Sequence, residues 1–284
     1  MSIDSKGSRE VKVSAEVTAG GGTPLFLIAG PCVIESEEQA FSLAGQIKAI
    51  CAKIGLPFIF KASYDKANRS SLRSFRGPGL EKGLAILKRI KLELRVPVLS
   101  DVHETAQVEK AAEVLDVIQI PAFLCRQTDL IVEAARTGKA LNLKKGQFLS
   151  PQEMANAVDK ALSQGNQKII LTERGTFFGY NNLVFDVRSI PLMKKWGFPV
   201  VIDASHTVQR PGGRGEASAG EAEFIPLMVQ TGVAAGANGV FVEVHDEPPQ
   251  ALSDAYNSLI INNLEGVLRS ALRIKKALQE EKSQ

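Results

Sequence analysis

The chain has three histidines among its 284 residues: His103, His206 and His245. Each lies one to three residues past the end of a short β-rich run. A solitary histidine at such a place is commonly structural, but three at equivalent places point to one shared site. Two lysines sit close by in the pattern. Lys61 follows Phe58-Ile59-Phe60, and Lys144 follows Leu141-Asn142-Leu143. An ammonium inside an apolar strand is costly unless it is paired or holds an anion. With Arg126 and Arg174, these lysines would form a cationic mouth suited to a phosphate or a carboxylate. The competing reading is ion pairs within the wall, to Asp101, Asp203 and Glu173. Asn68-Arg69-Ser70-Ser71 is a run of donors that suits a second phosphate; it also reads as a helix N-cap, and both can hold at once. Cys32, His206, Glu243 and Asp254 offer a thiolate, an imidazole and two carboxylates, a mixed donor set for one divalent transition ion. No contiguous spacing motif joins those four, and a cysteine after Gly-Pro is often only a small buried residue.

These residues need elements that bring them to one level. Eight β-rich runs recur at fairly even spacing: Leu25–Gly30, Pro57–Ala62, Val96–Asp101, Val117–Pro121, Ala140–Lys144, Lys168–Glu173, Pro199–Asp203 and Gly239–Glu243. Helix-like stretches lie between most of them, as at Glu37 to Ile54, Leu80 to Leu94 and Pro151 to Ser163, with apolar residues three and four apart. Alternation of apolar strands with helices predicts a parallel sheet covered by helices. Eight repeats of roughly 30 residues predict closure into a (β/α)8 TIM barrel. An open doubly wound sheet is the alternative, but the first strand runs into Gly30-Pro31-Cys32-Val33-Ile34-Glu35, which lacks the Gly-rich dinucleotide turn. Val11 to Val17 alternates as a strand would and precedes Gly20-Gly21-Gly22, so an N-terminal β-hairpin or extra strand is expected to cap the barrel bottom. One domain spanning 1–284 is expected, with an extension over 1–24 and the barrel over 25–272. In this fold chemistry sits at the C-terminal strand ends, which is where the polar residues gather.

Composition narrows the function classes. A net charge of +3 with the cations spread among acidic residues gives no nucleic-acid footprint. Three cysteines are too few for a disulfide framework and suit a reducing compartment. There is no apolar run of signal-peptide or membrane-span length. A soluble, cytoplasmic protein with no membrane partner is expected.

Long motifs then carry a family resemblance. Ala29-Gly30-Pro31-Cys32, Lys61-Ala62-Ser63, Asp65-Lys66-Ala67-Asn68-Arg69-Ser70-Ser71, Asp101-Val102-His103-Glu104, Gln119-Ile120-Pro121-Ala122-Phe123-Leu124, Asn142-Leu143-Lys144-Lys145-Gly146-Gln147-Phe148, Arg174-Gly175 and Asp203-Ala204-Ser205-His206 occur in order. Over roughly residues 25 to 272 the chain resembles 3-deoxy-D-manno-octulosonate 8-phosphate (KDO 8-phosphate) synthases. The resemblance implies condensation of phosphoenolpyruvate with D-arabinose 5-phosphate and water, phosphate release, a role in lipopolysaccharide biosynthesis, and a homotetramer. It implies that Lys61, Ser63, Gln119, Lys144 and Arg174 contact phosphoenolpyruvate. It implies that Lys66, Asn68, Arg69, Ser70 and Asp101 contact the pentose phosphate, with His206 and His103 completing the site. Lys61, Lys66, Asp101, His103 and His206 are thus expected to carry the chemistry. The metal-dependent subclass is implied by Cys32, with His206, Glu243 and Asp254 as partner ligands for a divalent ion such as Zn, Fe or Mn. The stretch Asp254-Ala255-Tyr256-Asn257-Ser258 departs from the Asp-Gly-Pro of many relatives, which leaves that loop's geometry open. The sister synthase that uses erythrose 4-phosphate to make 3-deoxy-D-arabino-heptulosonate 7-phosphate is the enzyme alternative; it usually shows Lys-Pro-Arg-Thr where this chain has the run beginning at Asp65. A sugar-phosphate-binding barrel without turnover is the alternative from another class.

Overall fold

Strand alternation decides which side chains meet. In the computed structural model, which describes residues 8–69, 71–211 and 219–281, eight parallel strands form the wall: β1 (Phe26–Gly30), β2 (Phe58–Lys61), β3 (Val98–Asp101), β4 (Val117–Ile120), β5 (Ala140–Lys144), β6 (Ile169–Glu173), β7 (Val200–Asp203) and β8 (Gly239–His245). Each pairs with its sequence neighbour, and β8 also pairs with β1 through Gly239↔Phe26 to Glu243↔Gly30. That last ladder closes the barrel, as the spacing predicted. All eight strands fall inside the predicted runs or overlap them.

Eight α-helices follow: α1 (Glu37–Ile54), α2 (Leu80–Leu94), α3 (Thr105–Val114), α4 (Thr128–Arg136), α5 (Met154–Leu162), α6 (Ser189–Lys194), α7 (Ile225–Ala234) and α8 (Ile261–Glu281). Their ends follow local chemistry. At α1, the Ser36 hydroxyl accepts from the Gln39 amide and Gly55 takes a left-handed conformation at the other end. Leu27, Phe58, Phe60, Ile118, Leu141, Leu143, Leu171 and Ile202 face outward and join Leu43, Ile47, Leu87, Ile90, Ile131 and Leu268 of the helices in one buried layer. Each such side chain contributes about 1.5–3 kcal/mol when fully buried.

The other strand parity makes a second, smaller core inside the barrel. Phe26, Ile28, Ile59, Leu99, Val117, Ala140, Ile170, Val201 and Phe241 fill the lower half. An N-terminal hairpin, Val11–Lys12 with Thr18–Ala19, adds Val11, Val17 and Ala19 to the same cluster. The hairpin therefore caps the bottom, as expected, although it forms two short strands rather than one long one. Three further elements were not predicted. Thr176–Phe177 pairs with Leu183–Val184, Gln209–Arg210 pairs with Ala219–Gly220, and Leu259–Ile260 lies outside the barrel parallel to the end of β8. Two-residue strands are too short to show a period. No helix among the described residues is long and apolar enough to cross a membrane.

Candidate active site

Above Phe241 the interior changes from apolar to polar. The inward positions at the strand tops are Lys61, Asp101, Gln119, Asn142, Lys144, Thr172, Arg174, Asp203 and Glu243, and all are buried. The Nζ atoms of Lys144 and Lys61 stand 4.3 and 5.6 Å from the Phe241 ring centroid, so this ring is the floor on which the cations sit. A cavity of about 660 Å³ opens above them. Lys61, Lys66, Asn68, Arg69, Asp101, His103, Gln119, Lys144, Arg174, His206 and Asp254 all line it.

The cations are only partly neutralised. Lys61 Nζ donates to the Cys32 carbonyl at 2.9 Å and to Glu243 Oε1 at 3.2 Å. Lys144 pairs with Asp203. Arg174 donates from Nη2 to Gln209 Oε1 at 3.0 Å, whereas its buried Nη1 has no partner among the described residues. Burial holds Lys144 below the usual lysine range, with the Arg174 charge adding to it against Asp203. Burial likewise lowers Arg174, against four carboxylates that raise it. An entering anion would repay that desolvation and satisfy Nη1. The amide of Gln119 is held ready: its Oε1 accepts from Asn142 Nδ2 at 2.9 Å, and Asn142 Oδ1 accepts from Thr172 at 2.5 Å.

On the β2–β3 side, Asp101 organises a relay. Ser63 Oγ donates to Asp101 Oδ1 at 2.5 Å, and His103 Nε2 lies 2.9 Å from Oδ2. Burial works against the Asp101 charge, but His103, Lys66 and Lys61 bring its carboxyl well below the usual range. Burial lowers His103, yet the bond to Asp101 outweighs it and leaves the imidazole more basic than usual. The His103 Nδ1 is buried without a partner among the described residues. Lys66 loses solvation on burial, but Cys32, Asp101, Glu243 and Asp254 around it keep it firmly protonated.

A third group lies between these two. Ligand atoms of Cys32, Glu243 and Asp254 all fall within 4.8 Å of one another. Cys32 Sγ donates to Asp254 Oδ2 at 2.9 Å. His206 Nε2 stands 3.6 Å from Glu243 Oε1 and 4.0 Å from Asp254 Oδ2. Three acidic groups converging in a buried place repel one another. Burial, then Asp254 and Glu243, push the Cys32 thiol up. Burial also raises Asp254, but His206, Lys66 and other neighbours take it down to about 2. Glu243 Oε2 is buried and unpartnered among the described residues. A divalent cation would relieve the repulsion, satisfy that oxygen and deprotonate the thiol, so this soft–borderline–hard donor set fits a transition ion. The Asp254 backbone is left-handed, φ 51°, and its carboxylate meets Cys32 and Gln209 despite the altered residues that follow it.

Backbone features hold the set. Gly30 has φ 155°, and a Cβ there would lie 2.0 Å from the Lys61 carbonyl oxygen, so only glycine lets β1 turn into the Cys32 loop against β2. Beyond the strand ends, Ile34 N donates to Ser63 O at 2.9 Å, which keeps the first two loops together.

Ser63, Arg126 and His245 fall elsewhere; Arg126 is exposed and lines a separate pocket with Leu149 and Glu153. Ser63 is fully buried behind Asp101 and does not line the cavity. Ser70 lies outside the described residues. His245 is turned away: past Glu243, β8 leaves β1 and pairs with Leu259–Ile260, so His245 bonds Gln39 Nε2 at 2.7 Å and accepts from Glu247 N at 2.9 Å. Sequence reasoning did not assign the supporting roles. Asp203 orients His206. Gln209 bridges Arg174 and Asp254, with Nε2 donating to Asp254 Oδ1 at 3.0 Å. Ser253 lies 2.9 Å from Cys32 Sγ and takes a hydrogen bond from Arg69. Asp203 stood in the sequence only as an ion-pair partner for the wall cations, and the loop beginning at Gln209 only as resembling the metal-dependent subclass; nothing in the sequence marked Thr172 or Ser253.

Comparison with known proteins agrees with this geometry. Residues 8–280 match the model of the DAHP synthetase I family. A protein of Geotalea uraniireducens (strain Rf4) is 57% identical over 261 residues, covering 92% of this chain and 96% of the relative. One of Geobacter sp. (strain M21) is 56% identical over 262 residues, with the same coverage of each. One of Koribacter versatilis (strain Ellin345) is 57% identical over 261 residues, covering 91% of this chain and 94% of the relative. All three are named 2-dehydro-3-deoxyphosphooctonate aldolase. With a barrel closed as the sequence predicted and relatives of this identity along nearly its whole length, the chain belongs to the DAHP synthetase I family.

Proposed function

We propose that this chain joins phosphoenolpyruvate to D-arabinose 5-phosphate and water, giving 3-deoxy-D-manno-octulosonate 8-phosphate and inorganic phosphate. The observation that carries the reading is one cavity with two separate sets of anion-binding donors. Lys61, Lys144 and Arg174 stand on the barrel floor, and Lys66, Asn68 and Arg69 stand on the loop after β2. Two phosphorylated substrates need two such sets. The name borne by relatives 55–57% identical favours this product over that of erythrose 4-phosphate condensation.

The chemistry follows from the arrangement. Lys144, Arg174 and Gln119 take the phosphate and carboxylate of phosphoenolpyruvate, which gives Arg174 Nη1 its partner. Asn68 and Arg69 take the distal phosphate of the pentose and aim its C1 aldehyde inward. Holding C3 of one against C1 of the other supplies about 7–11 kcal/mol of barrier lowering. As the C3–C1 bond forms, the aldehyde oxygen becomes an alkoxide, and protonated Lys66 donates a hydrogen bond to it. The electron-poor C2 takes a water, whose proton passes to a nearby base; His103, held by Asp101 through Nε2, offers its free Nδ1 for this. The C2–O bond to phosphate then breaks as the new C2 hydroxyl gives up its proton and becomes the ketone; the two protons of the water end on the former alkoxide and on the phosphate, which leaves into the cationic floor. A divalent ion held by Cys32, His206, Glu243 and Asp254 would supply Lewis-acid charge beside the aldehyde. The exposed Phe123, Phe148, Phe177 and Phe178 on the loops after β4, β5 and β6 offer apolar surface for a homotetramer.

Phosphate release is measured with each aldose in turn. Turnover with arabinose 5-phosphate at least about a hundredfold above erythrose 4-phosphate is expected. Equal or reversed preference overturns the reading.

A further inference from the structure

We infer that the buried pair Lys145–Glu173, behind the barrel wall, is the positioning element for the two cations Lys144 and Arg174 in front of it. This rests on the proposed role of those two in holding phosphoenolpyruvate. The pair arises from strand parity. Lys144 and Arg174 point into the cavity, so the residues next to them, Lys145 and Glu173, point out of it. Both are fully buried there. Charged groups so buried need a reason, because their desolvation is costly and an apolar pair of similar volume could replace them.

The hydrogen bonds supply the reason. Lys145 Nζ lies 3.6 Å from Glu173 Oε1. It also donates to the carbonyls of Gly146 and Leu149 at 3.2 Å each, to Gly175 O at 3.4 Å and to Thr176 Oγ1 at 3.1 Å. The first two acceptors belong to the loop after β5, the last two to the loop after β6. One ammonium thus ties together the backbones that follow Lys144 and Arg174. Glu173 Oε1 accepts from Gly175 N at 2.7 Å, which spans Arg174 and fixes its peptide on both sides. Gly175 is left-handed, φ 92°, so the chain turns sharply at this point. Phe177 N donates to Gln147 O at 3.0 Å and joins the same two loops again. By contrast, the Arg174 guanidinium itself has one hydrogen-bond anchor among the described residues, Gln209, and that residue sits on a third loop. Arg174 is therefore aimed mainly by its backbone, and its backbone is held by the pair.

The pair touches neither the cavity nor a reacting atom, so it acts through its neighbours. Misplacing an anion-binding cation by a fraction of an ångström weakens one substrate's binding before it alters the other's.

Two variants test this: Glu173→Gln, which removes the charge and keeps the shape, and Lys145→Met/Glu173→Met, which removes both charges without stranding one. Steady-state phosphate release is measured while each substrate is varied, with melting temperature recorded alongside. The expected result is a KM for phosphoenolpyruvate raised about tenfold or more, with the KM for arabinose 5-phosphate and kcat within about threefold of the parent. A pair serving stability alone would lower the melting temperature and leave the kinetic constants unchanged; that result overturns the inference. If the double variant does not fold, Glu173→Gln decides by the same criterion. Failure of the parent protein to turn over the two substrates overturns the functional reading instead. The variants are then titrated with inorganic phosphate by calorimetry, where unchanged affinity overturns the positioning role and weakened affinity supports it.

Discussion

Asp203 Oδ2 lies 2.8 Å from His206 Nδ1, and the other oxygen of the same carboxylate accepts from the His206 backbone N–H at 2.9 Å. This double hold fixes the ring and leaves Nε2 turned toward Glu243 and Asp254. Asp203 also pairs with Lys144, so one buried carboxylate serves both the donor cluster and the anion floor. Asp203→Asn should weaken divalent-metal affinity about 10–100-fold, the usual cost of losing such an orienting partner. It should also raise the KM for phosphoenolpyruvate. Metal titration followed by kinetics on the loaded variant separates the two effects; unchanged metal affinity would count against the orienting role.

Cys32 supplies the softest donor of its cluster. Cys32→Ala should lose tightly held metal and most activity. Complete chelation of the parent should abolish turnover, and re-addition of a divalent transition ion should restore it. Elemental analysis with a parallel assay is the check; full activity in a metal-free sample would remove the ion from the reaction.

Arg174 carries a buried Nη1 that has no hydrogen-bond partner among the described residues. Arg174→Lys keeps a charge but loses the fork that matches a carboxylate or phosphate. Loss of a charge-assisted bond is worth about 1.5–3 kcal/mol, or roughly 10–100-fold in the KM for phosphoenolpyruvate. The KM for arabinose 5-phosphate should move little. A similar loss for both substrates would mean that Arg174 does not discriminate between them.

The Asp101–His103 pair makes a pH prediction. Asp101 titrates below its ordinary 3.8, so its contribution to stability is present above that value and fades as pH falls through its lowered pKa. His103 titrates above its ordinary 6.5, so its contribution is complete below 6.5 and fades as pH rises through its raised pKa. The pair is therefore strongest between about pH 4 and 6.5. Melting temperatures of the parent and His103→Gln should differ most in that window and converge toward alkaline pH. A difference that grows with rising pH would reverse the assignment.

Gly30→Ala places a methyl group against the Lys61 carbonyl at a backbone angle that alanine avoids. The expected cost is about 2–4 kcal/mol, seen as a lower midpoint in chemical denaturation. A variant as stable as the parent would mean that β1 and β2 can separate freely at this point.

The sequence alone determined the barrel, and it did so through periodicity. Continuous apolar runs such as Ile169-Ile170-Leu171 need cover on both faces, and eight of them alternating with helices leave few other architectures. Lys61, Lys144 and the three histidines stood out because their types are costly or rare where they occur. Sequence could not say which face each strand top presents. One residue of offset sends Lys144 into the cavity and Lys145 behind the wall, and parity is set by the closed ladder rather than by residue type. His245 shows the same limit, since only the departure of β8 toward Leu259–Ile260 turned it away from the site. Ser253 was invisible, and the bridging role of Gln209 unreadable, because loop residues have no period and their partners lie far off in the chain. The tertiary structure alone decided that Asp203 serves both Lys144 and His206, because that contact exists only once β5 and β7 stand in one closed wall.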